Sequence, residues 1–301
     1  MSIDSIKEAQ AGVVAFISES GNSQHQIATE CGLEDSVLSQ FLRNTYPGNM
    51  AKVADTLNKY LMLAKERLNI PETRCFYKGL GNTKVVLAAA NLAHRHCGIV
   101  LIRGDSGAGK TTALQYYVSQ NAGVLFVTAD SGTKTASAIL SEIAAASGKR
   151  MCGNKQRLMK SLVDYLRGTK RLLIIDEADQ LTLDALQAVR SLNDKAGIGI
   201  VLAGNNKLYQ QMVSGVRGGE FDQIRTRILL KPDVRNEYTE SEMHGVFPDS
   251  DDQCAMVLKG FANKTSLREA AQLYSFAKEC AKVQGCKVSA AFLKKIMEEI
   301  K

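Results

Sequence analysis

The residues with the clearest chemistry form a glycine-rich run that ends in a lysine and a threonine. The run fits the pattern G-x-x-x-x-G-K-[ST] and consists of Gly104, Asp105, Ser106, Gly107, Ala108, Gly109, Lys110 and Thr111. Its glycines let the backbone curl so that successive N–H groups point at phosphate oxygens. An apolar stretch at 99–102 precedes the run and a helix-forming stretch that starts at Thr112 follows it, which is the context of a phosphate-binding loop. The pattern predicts an ATP site in which residues 104–111 and Thr112 hold the phosphates.

A second strand supplies the acidic groups that ATP hydrolysis requires. The apolar segment 171–175 ends in Asp176 and Glu177. A buried strand that ends in two carboxylates is unfavourable unless those groups have a function at its end. In a nucleotide hydrolase the first carboxylate and the Thr111 hydroxyl bind Mg²⁺, the second polarises the attacking water, and Lys110 reaches the β- and γ-phosphates. We therefore predict Mg²⁺-dependent ATP hydrolysis, with Thr111 and Asp176 as metal ligands and Glu177 as the general base.

Prolines and hydrophobic patterns divide the chain into three predicted domains, 1–70, 71–231 and 232–301. No proline lies between residues 72 and 231, so Pro71 and Pro232 are expected to mark the borders of a nucleotide-binding core. Within it, strands alternating with helices predict an α/β fold with a parallel sheet, preceded by an all-α domain and followed by a small helical one. The strands are expected near 99–103, 124–129, 171–176, 198–203 and 228–230.

The core resembles AAA+ ATPases in the polar residues that follow its strands. An added strand before the one that ends at Asp176 resembles the branch of ATPases with a built-in catalytic acid. Asn205 follows the fourth strand and is similar to the sensor 1 residue, which orients the attacking water. Arg227, or else Arg225, precedes the last strand like the arginine finger that a neighbouring subunit inserts. Arg268, in the first turn of a C-terminal helix, resembles the sensor 2 arginine that reaches the γ-phosphate.

The first 70 residues have a helical pattern that resembles the small DNA-binding domain of phage repressors. Ala28, Gly32 and Leu38 have the spacing of a helix-turn-helix, in which a small residue permits close packing and glycine makes the turn. A capping box at Ser23 opens the first helix, and the second is expected to begin near residue 34 or 35. Four residues on the second helix can bond base edges or phosphates, namely Ser36, Ser39, Gln40 and Arg43. Residues 1–78 hold 8 Lys and Arg against 9 Asp and Glu, so a bundle that packs or binds protein is the alternative.

Positive charge is concentrated in the core. The chain has a formal net charge of +7, and residues 79–231 hold 20 Lys and Arg against 11 Asp and Glu. Between Lys149 and Arg171 there are eight basic residues and one acid. Such a strip suits a polyphosphate partner larger than ATP, and a solvated helix face is the alternative. The candidate DNA contacts are Lys134, Lys149, Arg150, Lys155, Arg157 and Lys160.

Composition limits the class of protein. The 301 residues are 45% hydrophobic and 23% charged, as expected of a soluble globular protein. No segment approaches about eighteen uninterrupted apolar residues and the N-terminus lacks a signal-peptide pattern, so neither a membrane span nor secretion is predicted. Seven scattered cysteines without a C-x-x-C pair suit free thiols in a reducing compartment. We expect a cytoplasmic protein, in the host cell cytoplasm if it is encoded by a phage.

The layout of the whole chain resembles the phage Mu transposition protein B family, with a repressor-like domain, a compact AAA+ core and a short helical tail. The resemblance implies that subunits bind ATP between them and assemble into a helical filament on double-stranded DNA with little sequence preference. It also implies that the filament presents target DNA to a transposase and activates it. The transposase in turn provokes ATP hydrolysis and release of the filament, which regulates target choice.

Two other functions remain open. A helicase loader has a similar core but grips a replicative helicase, favours single strands and needs no repressor-like domain. A nucleotide-gated transcriptional regulator would bind one operator tightly through its N-terminal helices, with incidental hydrolysis. ATP-dependent, length-dependent and nearly non-specific binding to duplex DNA distinguishes the transposition protein from both.

Overall fold

The computed structural model describes residues 3–69, 76–207, 209–210 and 221–299. The chain divides into two compact units, Met1–Thr73 and Arg74–Lys301. In the described residues, none of the helices has the length and apolar character that crossing a bilayer demands.

The described part of the N-terminal unit consists of four helices: α1 (Ile3–Ser20), α2 (Gln24–Glu30), α3 (Asp35–Leu42) and α4 (Met50–Asn69). The capping box at Ser23 is present, with the Gln26 side chain as its second member. Helix α3 begins at Asp35, as the sequence predicts. Helix α1 packs on α4 and α2 packs on α3, around a shared apolar core that contains Ile27, Leu38 and Phe41. The small residue and the turn glycine thus bring α2 and α3 together as a helix-turn-helix requires.

The described residues of the second unit form a six-stranded sheet, and every strand pairing among them is parallel. Five strands follow the order β2-β3-β4-β1-β5, and β6 also pairs with β1. The strands are β1 (Ile99–Gly104), β2 (Leu125–Thr128), β3 (Leu172–Asp176), β4 (Gly199–Gly204), β5 (Ile228–Leu230) and β6 (Asp233–Val234). The helices among them are α5 (Gly81–His96), α6 (Lys110–Gln120), α7 (Ala136–Ala146), α8 (Lys155–Leu166), α9 (Leu183–Ala196) and α10 (Asp222–Arg225).

Helices cover both faces of this sheet, which confirms the predicted α/β fold. Ile99 and Leu101 of β1 belong to the core shared with α7, α8 and α9, while Val100 and Ile102 belong to the core shared with α5 and α6. Because both faces are buried, the central strands are continuous apolar runs in the sequence. The predicted helix near Lys207–Val213 lies largely outside the described residues.

Four more helices follow the sheet in the described part of the second unit: α11 (Glu240–Val246), α12 (Asp252–Lys264), α13 (Leu267–Gln284) and α14 (Ala290–Glu299). They enclose a separate apolar core that also takes in Leu80 and Tyr238. Contacts group these helices with the sheet as one compact unit. The three-domain division at residues 70 and 231 therefore stays a prediction about independent folding.

Candidate functional site

The glycine-rich loop joins the end of β1 to the start of α6. Gly107 and Gly109 have φ values of 72° and 89°, a left-handed conformation that glycine adopts without strain. Lys110 is the first residue of α6, and its ammonium donates to the carbonyl oxygens of Gly104 at 3.0 Å and Asp105 at 2.8 Å. Thr112 follows in the first turn of α6, and Ala108 is buried. The lysine therefore lies across its own loop, at the N-terminal end of the α6 dipole, where phosphate groups are favoured.

The tip of this loop touches the N-terminus of α13. A Cβ atom on Gly107 would lie 2.6 Å from the Cβ of Ser266 and 3.3 Å from the Cβ of Arg268. Ser266 caps α13, since its hydroxyl accepts from the Glu269 N–H at 3.1 Å. This close contact brings the exposed Arg268 beside the phosphate loop, as the sensor 2 resemblance expects.

Asp176 and Thr111 meet beneath the loop. The Thr111 hydroxyl donates to Asp176 Oδ2 at 2.6 Å, and Asp176 Oδ1 accepts from the Glu177 N–H at 3.0 Å. Asp176 is only 2% exposed, so its carboxylate needs these partners. Mg²⁺ prefers oxygen ligands, and this hydroxyl and carboxylate form a donor set that fits it.

Glu177 follows β3 with an exposed side chain and an unusual backbone. Its φ of 52° lies in the left-handed region, which is uncommon for a residue other than glycine and recurs at functional sites. Partial burial of the carboxyl raises the pKa of Glu177, as do Asp176 and Asp179, whereas Lys110 and Arg268 oppose the rise. Burial lowers the pKa of Lys110, and the charges of the nearby acids oppose that lowering, namely those of Asp176, Glu177, Asp105 and Asp179. Glu177 therefore lies within reach of the charges of Lys110, Asp176 and Arg268.

Asn205 extends from the tip of β4, next to the end of β3 in the sheet. Both its main-chain N–H and its side-chain Nδ2 donate to the Asp179 carboxylate, at 3.1 and 2.8 Å. Asp179 lies in a 3₁₀ turn, Ala178–Gln180, directly after Glu177. Asp179 was not predicted as a site residue. The sequence does contain a sign of it, a third acid that lies three residues beyond the buried Asp176.

Asn236 is a second residue that the sequence analysis missed. It is 9% exposed, and its Nδ2 donates to the carbonyl oxygens of Ser106 at 3.2 Å and Thr265 at 3.1 Å. Its main-chain N–H donates to Asp105 Oδ2 at 3.0 Å, and Tyr238 Oη donates to its Oδ1 at 2.9 Å. Asn236 thus connects the phosphate loop to the turn between α12 and α13. A cleft of about 390 Å³ opens beside it.

The two candidate arginine fingers lie away from the phosphate loop of their own chain. Ile228 pairs with Ile99 at the start of β1, whereas the loop follows Gly104 at its end. At about 3.3 Å per residue these ends are about 16 Å apart. Arg227 forms an ion pair with Asp194 at 2.7 Å, and Arg225 pairs with Asp222 at 2.7 Å. The structure does not bring either arginine to Lys110 in one protomer, so a catalytic role for them requires a second subunit.

The basic candidates of the core lie on α8 and the segments beside it. Arg157 and Lys160 are exposed on α8 and form no ion pair with an acid of the described chain, whereas Lys155 pairs with Asp184 at 2.6 Å. Lys149 and Arg150 are exposed just before α8. Lys134 is exposed at the end of a loop fixed by Asp130, and its carbonyl accepts from the Thr182 N–H at 3.0 Å.

The four polar candidates of the N-terminal unit share one face of α3 or its end. Their spacing of three and four residues, at Ser36, Ser39, Gln40 and Arg43, is that of helical neighbours. Leu38 and Phe41 are buried, so the opposite side of α3 packs into the core.

Comparison with known proteins agrees with this geometry. A protein-family model described as an AAA domain matches residues 93–212, which run from the end of α5 past Asn205. The chain is 34% identical over 222 residues to the Mu-like prophage FluMu DNA transposition protein B of Haemophilus influenzae, covering 73% of this chain and 77% of that protein. It is 29% identical over 227 residues to the ATP-dependent target DNA activator B of Escherichia phage Mu, and equally so to that of Escherichia phage D108, covering 75% of this chain and 72% of each relative. With an AAA domain built around its phosphate loop and this extent of similarity, the chain belongs to the phage Mu transposition protein B family.

Proposed function

We propose that this chain is a Mg²⁺-dependent ATPase that assembles on double-stranded target DNA, activates a transposase and regulates target choice in DNA transposition. The observation that carries the proposal is the convergence of Lys110, Thr111, Asp176 and Glu177 at the phosphate loop. The printed names of two relatives, ATP-dependent target DNA activator B, support the same activity for this chain. The host cell cytoplasm is the compartment in which such a protein would meet DNA.

ATP binding changes the partners of Lys110. Its ammonium leaves the carbonyl oxygens of Gly104 and Asp105 for the β- and γ-phosphates, whose charge is better matched to it. The backbone N–H groups of the loop and of the first turn of α6 hold the remaining phosphate oxygens. Thr111 and Asp176 would hold Mg²⁺, which when bound neutralises charge on the transferred phosphate.

Hydrolysis follows from the groups around the γ-phosphate. Glu177 accepts a proton from the attacking water, a role that suits a carboxyl whose pKa is raised. Asn205 orients this water, and Arg268 offsets the negative charge from the side of α13. Arg227 of a neighbouring subunit completes the site, and such a finger contributes about 10³–10⁵ in rate. Because the finger comes from another subunit, assembly and hydrolysis are coupled.

The basic face of α8 binds the DNA backbone. Phosphate contacts carry no sequence information, so binding through Arg157, Lys160 and their neighbours is largely non-specific and sensitive to salt. ATP binding favours the assembled subunits on DNA, DNA stimulates hydrolysis by holding them together, and hydrolysis releases them. Contact with the transposase provokes this hydrolysis and so releases the subunits from DNA that already carries the element.

A nucleotide-gated transcriptional regulator is the second candidate, favoured by the polar face of α3. In that case Gln40 and Arg43 would read one operator sequence. The regulator would bind that site without ATP, and its N-terminal unit alone would suffice.

Binding of labelled duplexes of several lengths and sequences, with and without ATP, tests the proposal. The wild type should bind tightly only with ATP, more tightly to longer duplexes and equally to different sequences. Lys110→Ala should bind DNA weakly even with ATP, because the phosphates lose their main cation. The control Lys195→Ala, which changes an exposed lysine on α9, should behave as the wild type. Normal ATP-dependent binding by Lys110→Ala would contradict the proposal, and tight ATP-independent binding to one sequence would favour the regulator.

A further inference from the structure

We propose that Asp179 is a positioning residue that holds Asn205 in the orientation needed for ATP hydrolysis; this inference rests on the proposed ATPase activity. The carboxylate of Asp179 accepts two hydrogen bonds from the same residue. Asp179 Oδ1 accepts from the Asn205 N–H at 3.1 Å, and Asp179 Oδ2 accepts from Asn205 Nδ2 at 2.8 Å. Two bonds to one carboxylate fix the side-chain amide relative to its own main chain.

The hydrogen-bond partners also fix which end of the amide faces Asp179. The Lys207 N–H donates to Asn205 Oδ1 at 2.8 Å. A carboxylate can only accept and a main-chain N–H can only donate, so a flipped amide would oppose acceptor with acceptor and donor with donor. Asn205 therefore directs Nδ2 to Asp179, and the second hydrogen on Nδ2 remains to donate to the attacking water or a phosphate oxygen.

Gly204 permits this contact because it has no side chain. A Cβ atom at Gly204 would lie 2.6 Å from Asp179 Oδ1 and 3.2 Å from the Asp179 main-chain nitrogen. The 3₁₀ turn after β3 therefore packs directly on the backbone at the tip of β4. The side chain of Gln180, on the same turn, donates from its Nε2 to Asp179 Oδ2 over a longer distance of 3.4 Å. Asp179 is the residue that joins the end of the strand bearing Asp176 to the position of Asn205.

Steady-state ATP hydrolysis in the presence of duplex DNA, with the affinity for a fluorescent ATP analogue and the melting temperature of each variant, tests this role. Asp179→Ala should lower kcat by about 10- to 100-fold, as loss of an outer-shell partner typically does, with nucleotide affinity within about twofold of the wild type. Asp179→Asn keeps the shape, but in either orientation of the amide its NH₂ group faces one of the two Asn205 donors. The paired hydrogen bonds are lost, so this variant should also be slow. Gln180→Ala is the matched control and should retain the wild-type kcat.

The double variant Asp179→Ala with Asn205→Ala decides whether Asp179 acts through Asn205. It should be no slower than Asn205→Ala alone, because a positioning residue has nothing left to position. Multiplied effects would overturn the inference, as would a fast Asp179→Asn beside a slow Asn205→Ala. If both Asp179 variants lose melting temperature and nucleotide affinity together with kcat, Asp179 has a merely structural role. That result would also overturn the inference. If Asn205→Ala hydrolyses ATP as fast as the wild type, the role of Asn205 in the proposed function is what fails.

Discussion

Glu177 occupies a backbone conformation that its side chain type rarely adopts. Its φ is 52°, and it directly follows the last residue of β3. Asp176 is buried at the end of the strand, whereas Glu177 is exposed. Two adjacent carboxylates thereby acquire different surroundings. Asp176 is buried against Thr111. Desolvation of the carboxyl raises the pKa of Glu177, and its acidic neighbours Asp176 and Asp179 add to the rise. Different surroundings are what separate a metal ligand from a general base in neighbouring acids.

Replacement of Glu177 by glutamine should separate ATP binding from ATP hydrolysis. The amide cannot take the proton of the attacking water, so kcat should fall by about 10²–10⁴ while ATP still binds. The variant should therefore stay on duplex DNA long after the wild type has dissociated. Dissociation into excess competitor DNA measures this, with Glu142→Gln on the exposed side of α7 as the control. Wild-type release rates in Glu177→Gln would remove Glu177 from the role of base.

Residues that belong to a recognisable sequence pattern could be predicted, and residues whose role depends only on a distant contact could not. The phosphate loop is a continuous run, and Asp176 and Glu177 are recognisable at the end of an apolar strand. Asp179 bonds a residue 26 positions away, and Asn236 bonds Ser106 at 130 positions. The acid at position 179 is visible in the sequence, but its contact with Asn205 is not. Such contacts depend on which segments the order of strands in the sheet brings together.

At the scale of elements, Asn236 connects the phosphate loop to the C-terminal helices. Its amide reaches the loop carbonyl at Ser106 and the carbonyl at Thr265, one residue before the cap of α13. A movement of the loop would therefore be transmitted through Asn236 to the start of α13, which carries Arg268. The strand that precedes this link, β6, has two residues and was not predicted, since so short a strand has no periodicity.

Replacement of Asn236 by alanine should destabilise the second unit. The change leaves the carbonyl oxygens of Ser106 and Thr265 and the hydroxyl of Tyr238 without this partner, and an unsatisfied buried polar group costs about 1–3 kcal/mol. Urea denaturation should show a loss of that size in the free energy of unfolding. Gln272→Ala, at an exposed position of α13, should have no effect. Equal stability of Asn236→Ala and the wild type would refute the proposed link.

The exposed basic face of α8 should set the salt dependence of DNA binding. Neutralisation of Arg157, Lys160 and Arg167 should make the slope of log affinity against log salt concentration less steep. The slope should change by about 0.9 for each DNA phosphate that the protein no longer neutralises. A control of equal charge change is Lys282, Lys287 and Lys294 replaced by alanine, since all three are exposed in or between the last two helices. An unchanged slope in the α8 variant, or an equal change in the control, would locate the DNA surface elsewhere.

In the molecule as a whole, the distribution of charge and the position of Arg227 both favour a protein that works as several copies on DNA. The surplus of positive charge lies in residues 79–231, with 20 Lys and Arg against 11 Asp and Glu. Arg227 lies next to β5, at the end of the sheet opposite the phosphate loop, so the proposed arginine finger would have to come from a second copy of the chain. No local sequence pattern predicts assembly; the proposal of a filament rests on the position of Arg227 and on the resemblance of the whole chain to its family.

Whether ATP binding drives assembly of the protein on DNA can be seen by electron microscopy with long duplex DNA and a slowly hydrolysed ATP analogue. We expect continuous filaments on the DNA with the analogue, and none when it is omitted or when Lys110→Ala replaces the wild type. Separate particles that ignore both the nucleotide and the DNA would contradict the account.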